Sequence, residues 1–308
     1  MSVLLLGNGI NLQERLAPDW SKLLRGIAKK YHFTPEKSLS MTLGYEMLEN
    51  QILKRDSSLN ETGIHKEIAA QVETDAMKQK KDWSGTVHAR LAALPVNAIL
   101  TTNYDYAIER SLDPAFKKAF TTRETTYSLH RYQQAGGKTV YHIHGECGYP
   151  RSICLGFEQY AGSLQRIRDR IVQSTAVNKE TRERGCTFLL ADIMDGITPR
   201  PEYSWFYDFF LEDVYILGLT LDVSEMDLWW LLSYRSKLIA TKKLLVGDKI
   251  NKIIYLDIDL NTSRDREAEC KRRRKLLEAF DVKCIPCKGE TYTEQYDYAC
   301  NWLKTHIK

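Results

Sequence analysis

The sequence predicts an α/β fold in which a parallel sheet is covered on both faces by helices. Three observations carry this. Six short, mostly aliphatic or β-branched runs punctuate the chain, each bounded by turn residues or charge. Amphipathic helical patterns lie between many of them. Four of the runs end in glycine or small polar residues, at the strand end where open α/β sheets bind ligands.

In chain order, Val3–Leu6 is the first strand. After Pro18, residues Trp20, Leu23, Leu24, Ile27, Ala28 and Tyr31 share one helical face, with Asp19 as a plausible N-cap. Residues 36–94 read as helical, with no clear strand. Ala98–Thr101 and Thr139–Ile143 are the next strands. Residues 156–210 hold a charged helix, Gln159 to Gln173, then a mixed segment with Pro199 and Pro201. Val214–Leu217 is a strand, followed by a helix carrying Leu228, Trp229, Leu231, Leu232 and Leu238 and starting near Ser224 or Glu225. Ile253–Ile258 and Val282–Ile285 complete the set. The sum is a Rossmann-like parallel sheet of about six strands, helices on both faces, and helical insertions near 36–94 and 156–210 that form a small lobe over its carboxyl edge.

The length of 308 residues fits one large α/β unit or two modest ones. With no internal repeat and no linker rich in Gly, Ser or Pro, residues 1–308 read as one catalytic unit. Charged residues make up 27% of the chain but the formal net charge is only +4, so no direct nucleic acid binding is expected. The basic run Lys271 to Lys275 is interspersed among acids and reads as a solvated helix face. No signal peptide is expected, because Gly7 and Asn8 stop the first apolar run. No stretch approaches the ~20 apolar residues of a spanning helix, so no membrane association is expected. Seven scattered cysteines suit a reducing, cytoplasmic location. Cys284 and Cys287 form one Cys-x-x-Cys, but Cys147 and Cys154 do not supply the second pair of a zinc site.

The chemistry concentrates at strand ends. Gly7-Asn8-Gly9-Ile10-Asn11 follows the first strand and either lets the backbone approach a phosphate or makes a tight turn; Leu12 stands where a dinucleotide fingerprint has its third glycine. Thr101-Thr102-Asn103-Tyr104-Asp105 follows the second strand, where Thr102 or Asn103 either caps a helix or meets a ligand. In His142-Ile143-His144-Gly145, strand alternation puts both histidines on one side. His144, at the strand end beside a glycine, is the candidate general base, and His142 reads as structural. Gly218-Leu219-Thr220 repeats the strand-glycine-polar pattern. Asp257 and Asp259 end a later strand and either accept from a ribose or sit in a solvated loop.

The joint order of Gly-Asn-Gly, Thr-Thr-Asn-Tyr-Asp, His-Gly and Gly-x-Thr resembles the sirtuin superfamily, and within it the sirtuin-like domains of bacterial antiphage defence systems such as the Thoeris effector. Asp19-Trp20 followed by Leu23-Leu24 is similar to the same branch. The resemblance spans residues 3 to about 259 and implies NAD as substrate. It implies that Gly7 and Gly9 form the phosphate loop, that Asn103 and Asp105 are the ribose- and nicotinamide-binding pair, and that His144 is the catalytic base. Gly218 and Thr220 match the later nucleotide loop; Asn8, Asn11, Thr102 and Asp257 are further candidate NAD contacts. The zinc-binding cysteine pairs and the Phe-Arg of the deacylating sirtuins are not found. That favours hydrolysis of NAD over deacylation of a protein lysine.

The expected reaction is cleavage of the nicotinamide–ribose bond to nicotinamide and ADP-ribose, without a metal, by an NAD-depleting effector of abortive infection. Asn103 would position water or a ribose hydroxyl, Asp105 the nicotinamide amide, and His144 would take the proton. The alternatives are a deacylase or ADP-ribosyltransferase, and a non-catalytic subunit that binds NAD or ADP-ribose. Restraint of such an activity implies a homo-oligomer or a separate partner, Argonaute-like or a DNA-translocating ATPase. Trp205, Phe206, Phe209 and Phe210 are either an exposed patch for such contacts or core. Replacing His142 by Ala is expected to be mild.

Overall fold

The computed structural model describes residues 2–34, 39–56, 58–119, 126–171, 190, 203–241, 251–259 and 264–307. Gln173, Pro199, Pro201 and most of the expected insertion beyond residue 171 lie outside the described residues. Strands are β1 (Ser2–Leu6), β2 (Ala98–Thr101), β3 (Gln133–Ala135), β4 (Lys138–His142), β5 (Asp213–Leu217), β6 (Ile253–Asp257) and β7 (Val282–Pro286). Helices are α1 (Gly9–Gln13), α2 (Trp20–Lys30), α3 (Met41–Arg55), α4 (Glu61–Val72), α5 (Asp75–Gln79), α6 (Val87–Ala92) and α7 (Ala107–Leu112), then α8 (Phe157–Ile171), α9 (Trp205–Leu211), α10 (Met226–Ala240), α11 (Arg264–Ala279) and α12 (Tyr292–His306).

The sheet runs β3-β4-β2-β1-β5-β6-β7, all neighbours parallel except β3 against β4. Without β3 this is the Rossmann order, with the reversal of direction between β1 and β5. A seventh strand, β3, adds an antiparallel edge to the expected sheet of about six. Gln-Gln-Ala carries no aliphatic signal, but Gly136 and Gly137, at φ +53° and +77°, supply the two left-handed positions of a tight hairpin turn onto β4.

Strand alternation divides the core into two layers. Leu5, Leu100, Tyr141, Ile216 and Tyr255 face α9, α10 and part of α8. Leu4, Leu6, Ile99, Val140, Leu217 and Leu256 face α6, α7 and α12. The aromatics of α9 belong to the first layer. Trp205, Phe206, Phe209 and Phe210 are each no more than 2% exposed, so they are core and not a docking patch.

A third cluster joins α2, α3 and α4 to Tyr104, Ile153 and Leu155, which follow β2 and β4. These helices therefore stand over the carboxyl edge. Helix α2 forms as its sequence requires. Asp19 caps it by accepting from Lys22 N–H at 2.7 Å, it buries Leu23, Leu24, Ile27 and Ala28, and Lys29 and Lys30 end it. No helix among the described residues is long and apolar enough to cross a membrane.

Candidate active site

The register brings the motif-bearing loops into line. Leu6 pairs with Thr101 and Leu217, Thr101 with His142, and Leu217 with Leu256. Gly7, Thr102, Ile143, Gly218 and Asp257 are then the next residues of five neighbouring strands or loops at one edge. A cavity of about 710 Å³ opens at the switch between β1 and β5, bordered by Gly9, Gly218 and Thr220 on the sheet side and by Trp20, Thr42 and Tyr45 on the helical side. That volume lies in the ordinary range of small-molecule and cofactor pockets. A small inner chamber of about 50 Å³ adjoins it, bordered by Asn103, Asp105 and His144.

The glycines of the first loop serve close packing. Gly7 and Gly9 donate their N–H groups to Leu217 O at 3.0 Å and Gly218 O at 2.9 Å. A Cβ on Gly7 would lie 2.5 Å from Gly218 O, and one on Gly9 would lie 2.9 Å from Gly218 Cα. Gly218 itself has φ +75°. Gly9 and Gly218 border the outer cavity, while Gly7 lies behind them, supporting the crossing of the two loops.

Asn103 is 4% exposed. Its backbone is pinned on both sides. Asn103 N–H donates to Thr101 Oγ1 at 3.0 Å, and its carbonyl accepts from His142 Nδ1 at 2.7 Å. The side-chain amide nitrogen reaches Gly7 O at 3.5 Å, and Oδ1 is buried without a hydrogen-bond partner. A buried carbonyl left unmatched is costly, and a ligand or water donor in the inner chamber would satisfy it. The cap of α7 comes from Asp105, whose Oδ1 accepts from Ala107 N–H at 2.9 Å.

The other oxygen of Asp105 accepts from Asn11 Nδ2 at 2.8 Å. Asn11 also donates to Asn8 Oδ1 at 3.1 Å, and its own carbonyl faces His88 Nε2 at 2.8 Å. Asn11 is wholly buried and borders neither chamber; it couples Asp105 to Asn8, which borders both. Burial pushes Asp105 up to about 6, with Glu109 adding to it and Ala107 N–H, His142 and Asn11 opposing. Burial pushes His88 down to about 3, so its ring is neutral.

The two histidines do not share a side. The strand ends at His142, so alternation stops before His144. His142 turns to α7, where Nε2 lies 2.6 Å from Glu109 Oε1. A carbonyl and a carboxylate can only accept, so both ring nitrogens carry protons. Burial alone would lower its pKa; Glu109, with Glu146 and the Asn103 carbonyl adding to it, outweighs burial and raises it to about 9. His144 turns to α10, with Nε2 3.1 Å from Asp227 Oδ2 and Tyr160 edge-on at 5.3 Å. Burial opposes its protonation, but Asp227 holds the imidazole above its ordinary range. Asp227 stays below the usual carboxylate range against its burial, because His144, Leu228 N–H and Ser163 all favour its charge.

At the β6 end, Asp257 does not border the cavity. Its oxygens meet Arg273 at 3.0 Å and Arg274 at 2.6 Å. Asp259 and Arg273 form the cavity wall there. Sequence reasoning missed Asp227 and the chamber role of Glu225. Their signal was the density of acids after the Gly218 loop, with Asp222, Glu225 and Asp227 within six positions. Among the described residues, one acidic group could approach a cation, Glu49 with Glu61 and His65; His65 Nε2 is already 3.0 Å from Tyr45 Oη. Cys284 and Cys287 are free thiols.

The model of the SIR2-like domain family matches residues 97–191, a little under a third of the chain. The matched segment contains Asn103, Asp105, His142 and His144, and supports a sirtuin-like domain with an NAD-related activity. No curated protein matches the chain.

Proposed function

We propose that the protein is an NAD glycohydrolase, splitting NAD into nicotinamide and ADP-ribose. The observation that carries this reading is the inner chamber, where the unmatched Oδ1 of Asn103 and the Asp227-held ring of His144 border one small space beside a cavity of about 710 Å³. The SIR2-like match across these residues supports NAD as the ligand.

The C1′–N1 bond breaks with its electron pair passing into the nicotinamide ring, which leaves neutral and needs no general acid. Water adds to C1′ and its proton passes to His144. Asp227 fixes the tautomer with the proton on Nε2, leaving Nδ1 as the atom able to accept. Asn103 Oδ1 orients that water or a ribose hydroxyl. Asp105 serves by holding Asn11 and the start of α7, since both its oxygens are engaged.

The resemblance to defence-associated domains supports an NAD-depleting effector role, restrained by homo-oligomerisation or by a partner subunit. A monomer fully active at all concentrations contradicts self-association. Incubating the pure protein with NAD and resolving the products by chromatography tests the activity itself. Nicotinamide and ADP-ribose in equal amounts are expected, and failure to release nicotinamide overturns the reading.

A further inference from the structure

Only five residues border both chambers: Asn8, Trp20, Thr102, Tyr160 and Glu225, among the described residues. A bond joining a group in the inner chamber to one in the outer cavity must pass between them. Under the NAD reading, on which this inference rests, that bond is the scissile C1′–N1 bond. Glu225 is the one member of the five with a carboxyl group.

The position of that carboxyl group is set by the backbone. Glu225 is the residue before α10, and its Oε2 accepts from Asp222 N–H at 2.9 Å. Glu225 N–H donates back to Asp222 O at 3.0 Å. The turn is tightened by Ser224, whose N–H donates to Asp222 Oδ1 at 2.8 Å. Among the described residues the carboxyl group has no arginine or lysine partner, and His144 is the one cationic group acting on it.

We propose that Glu225 is a catalytic carboxylate that lies against the ribose C1′ and stabilises the positive charge developing there as nicotinamide leaves. Bond cleavage builds oxocarbenium character at C1′, and an anion fixed where the two chambers meet acts on it at short range. The groups around it fit this task. Burial raises Glu225 to about 7, Asp227 on its own helix and Asp222 in the turn push the same way, and His144 from the β4 loop opposes them. Tyr104 and Tyr160, from the β2 loop and α8, sense its charge. A cationic pyridinium ring entering the inner chamber would favour the ionised form of Glu225.

The test is Glu225→Gln, which preserves shape and the acceptor for Asp222 N–H, with Glu225→Asp as the partner variant. Nicotinamide release, ADP-ribose binding by calorimetry and melting temperature are measured on each. Glu225→Gln should lower kcat about 100-fold or more, with ADP-ribose affinity within about 3-fold of wild type. Glu225→Asp, which keeps the charge, should turn over about 10-fold faster than the Gln variant. A Gln variant as active as wild type overturns the role of Glu225 and leaves NAD cleavage standing. Equal loss of ADP-ribose binding and turnover in both variants also overturns it, since that marks a structural residue. Wild-type protein that neither binds ADP-ribose nor releases nicotinamide overturns the NAD reading, and the role of Glu225 with it.

Discussion

His144 Nε2 and Asp227 Oδ2 lie 3.1 Å apart, both buried, although 83 positions separate them in the chain. The pair ties the loop after β4 to the first turn of α10, and its His144 borders the inner chamber. Asp227→Asn should cut nicotinamide release by about 10²–10⁴, because an amide no longer enforces the productive tautomer. The sign of the pH effect follows from the shift. Asp227 raises the His144 pKa, so the base becomes available only as pH climbs past that raised value. Without the carboxylate, the acid limb of the kcat profile should move to lower pH. An unchanged rate and profile would count against His144 as the base.

Asn103 and Asp105 should separate by phenotype. Asn103→Ala removes an unmatched polar atom and should abolish turnover while the melting temperature moves by only a few degrees, about 1 kcal/mol. Asp105→Ala deletes the acceptor for both Ala107 N–H and Asn11, and should cost about 2–4 kcal/mol in urea unfolding. The reverse ranking would make Asn103 the structural member.

The crossing of the two glycine loops can be probed by comparing three positions. Gly137 has φ +77° with open space about it, so Gly137→Ala measures the backbone cost alone, about 1–2 kcal/mol. Gly218→Ala adds a tight contact at 3.1 Å to the same φ cost. Gly7→Ala forces Gly218 O and Leu219 aside and should lose more stability than Gly137→Ala, together with NAD turnover. Denaturant midpoints and turnover for the three variants decide it; equal loss at Gly7 and Gly137 would remove close packing as the explanation.

The His142–Glu109 pair predicts a pH window for stability. A histidine whose folded pKa is raised stabilises fully below its unfolded value, near 6.5, and loses that contribution as pH rises through about 9. Wild-type unfolding free energy should fall across this window, and Glu109→Gln should flatten the dependence. His142→Ala, expected to be mild for turnover, should be severe for stability, since it strands a buried carboxylate, at about 3–5 kcal/mol. A variant with an unchanged midpoint would refute the ion pair.

Exhaustive chelation should leave turnover intact, because the departing nicotinamide is already activated by its own charge and asks for no Lewis acid. Zinc content that tracked activity across preparations would argue the opposite.

The local signals in the sequence were sufficient for the six parallel strands of the sheet, and not for β3. Aliphatic runs of strand length, glycines after β1 and β5, and the polar residues after β2 and β4 are each readable within a few positions, because strand burial and tight turns impose short-range patterns. The Asp19 cap and the apolar face of α2 were legible for the same reason. Tertiary structure decided what those residues touch. Asp227 and Glu225 are ordinary acids at a helix start until folding brings α10 against the β4 loop. That Asp105 borders the inner chamber while Asn11, 94 positions away, takes its second oxygen is visible only in the folded chain. The opposite orientations of His142 and His144 depend on the strand ending between them, and the burial of the α9 aromatics depends on which layer covers them. Periodicity is a property of the local backbone, whereas a hydrogen-bond partner or a neighbouring charge is a property of the packed chain. That is why the motifs could be found in order along the sequence, but the charge state and orientation of each group only in three dimensions.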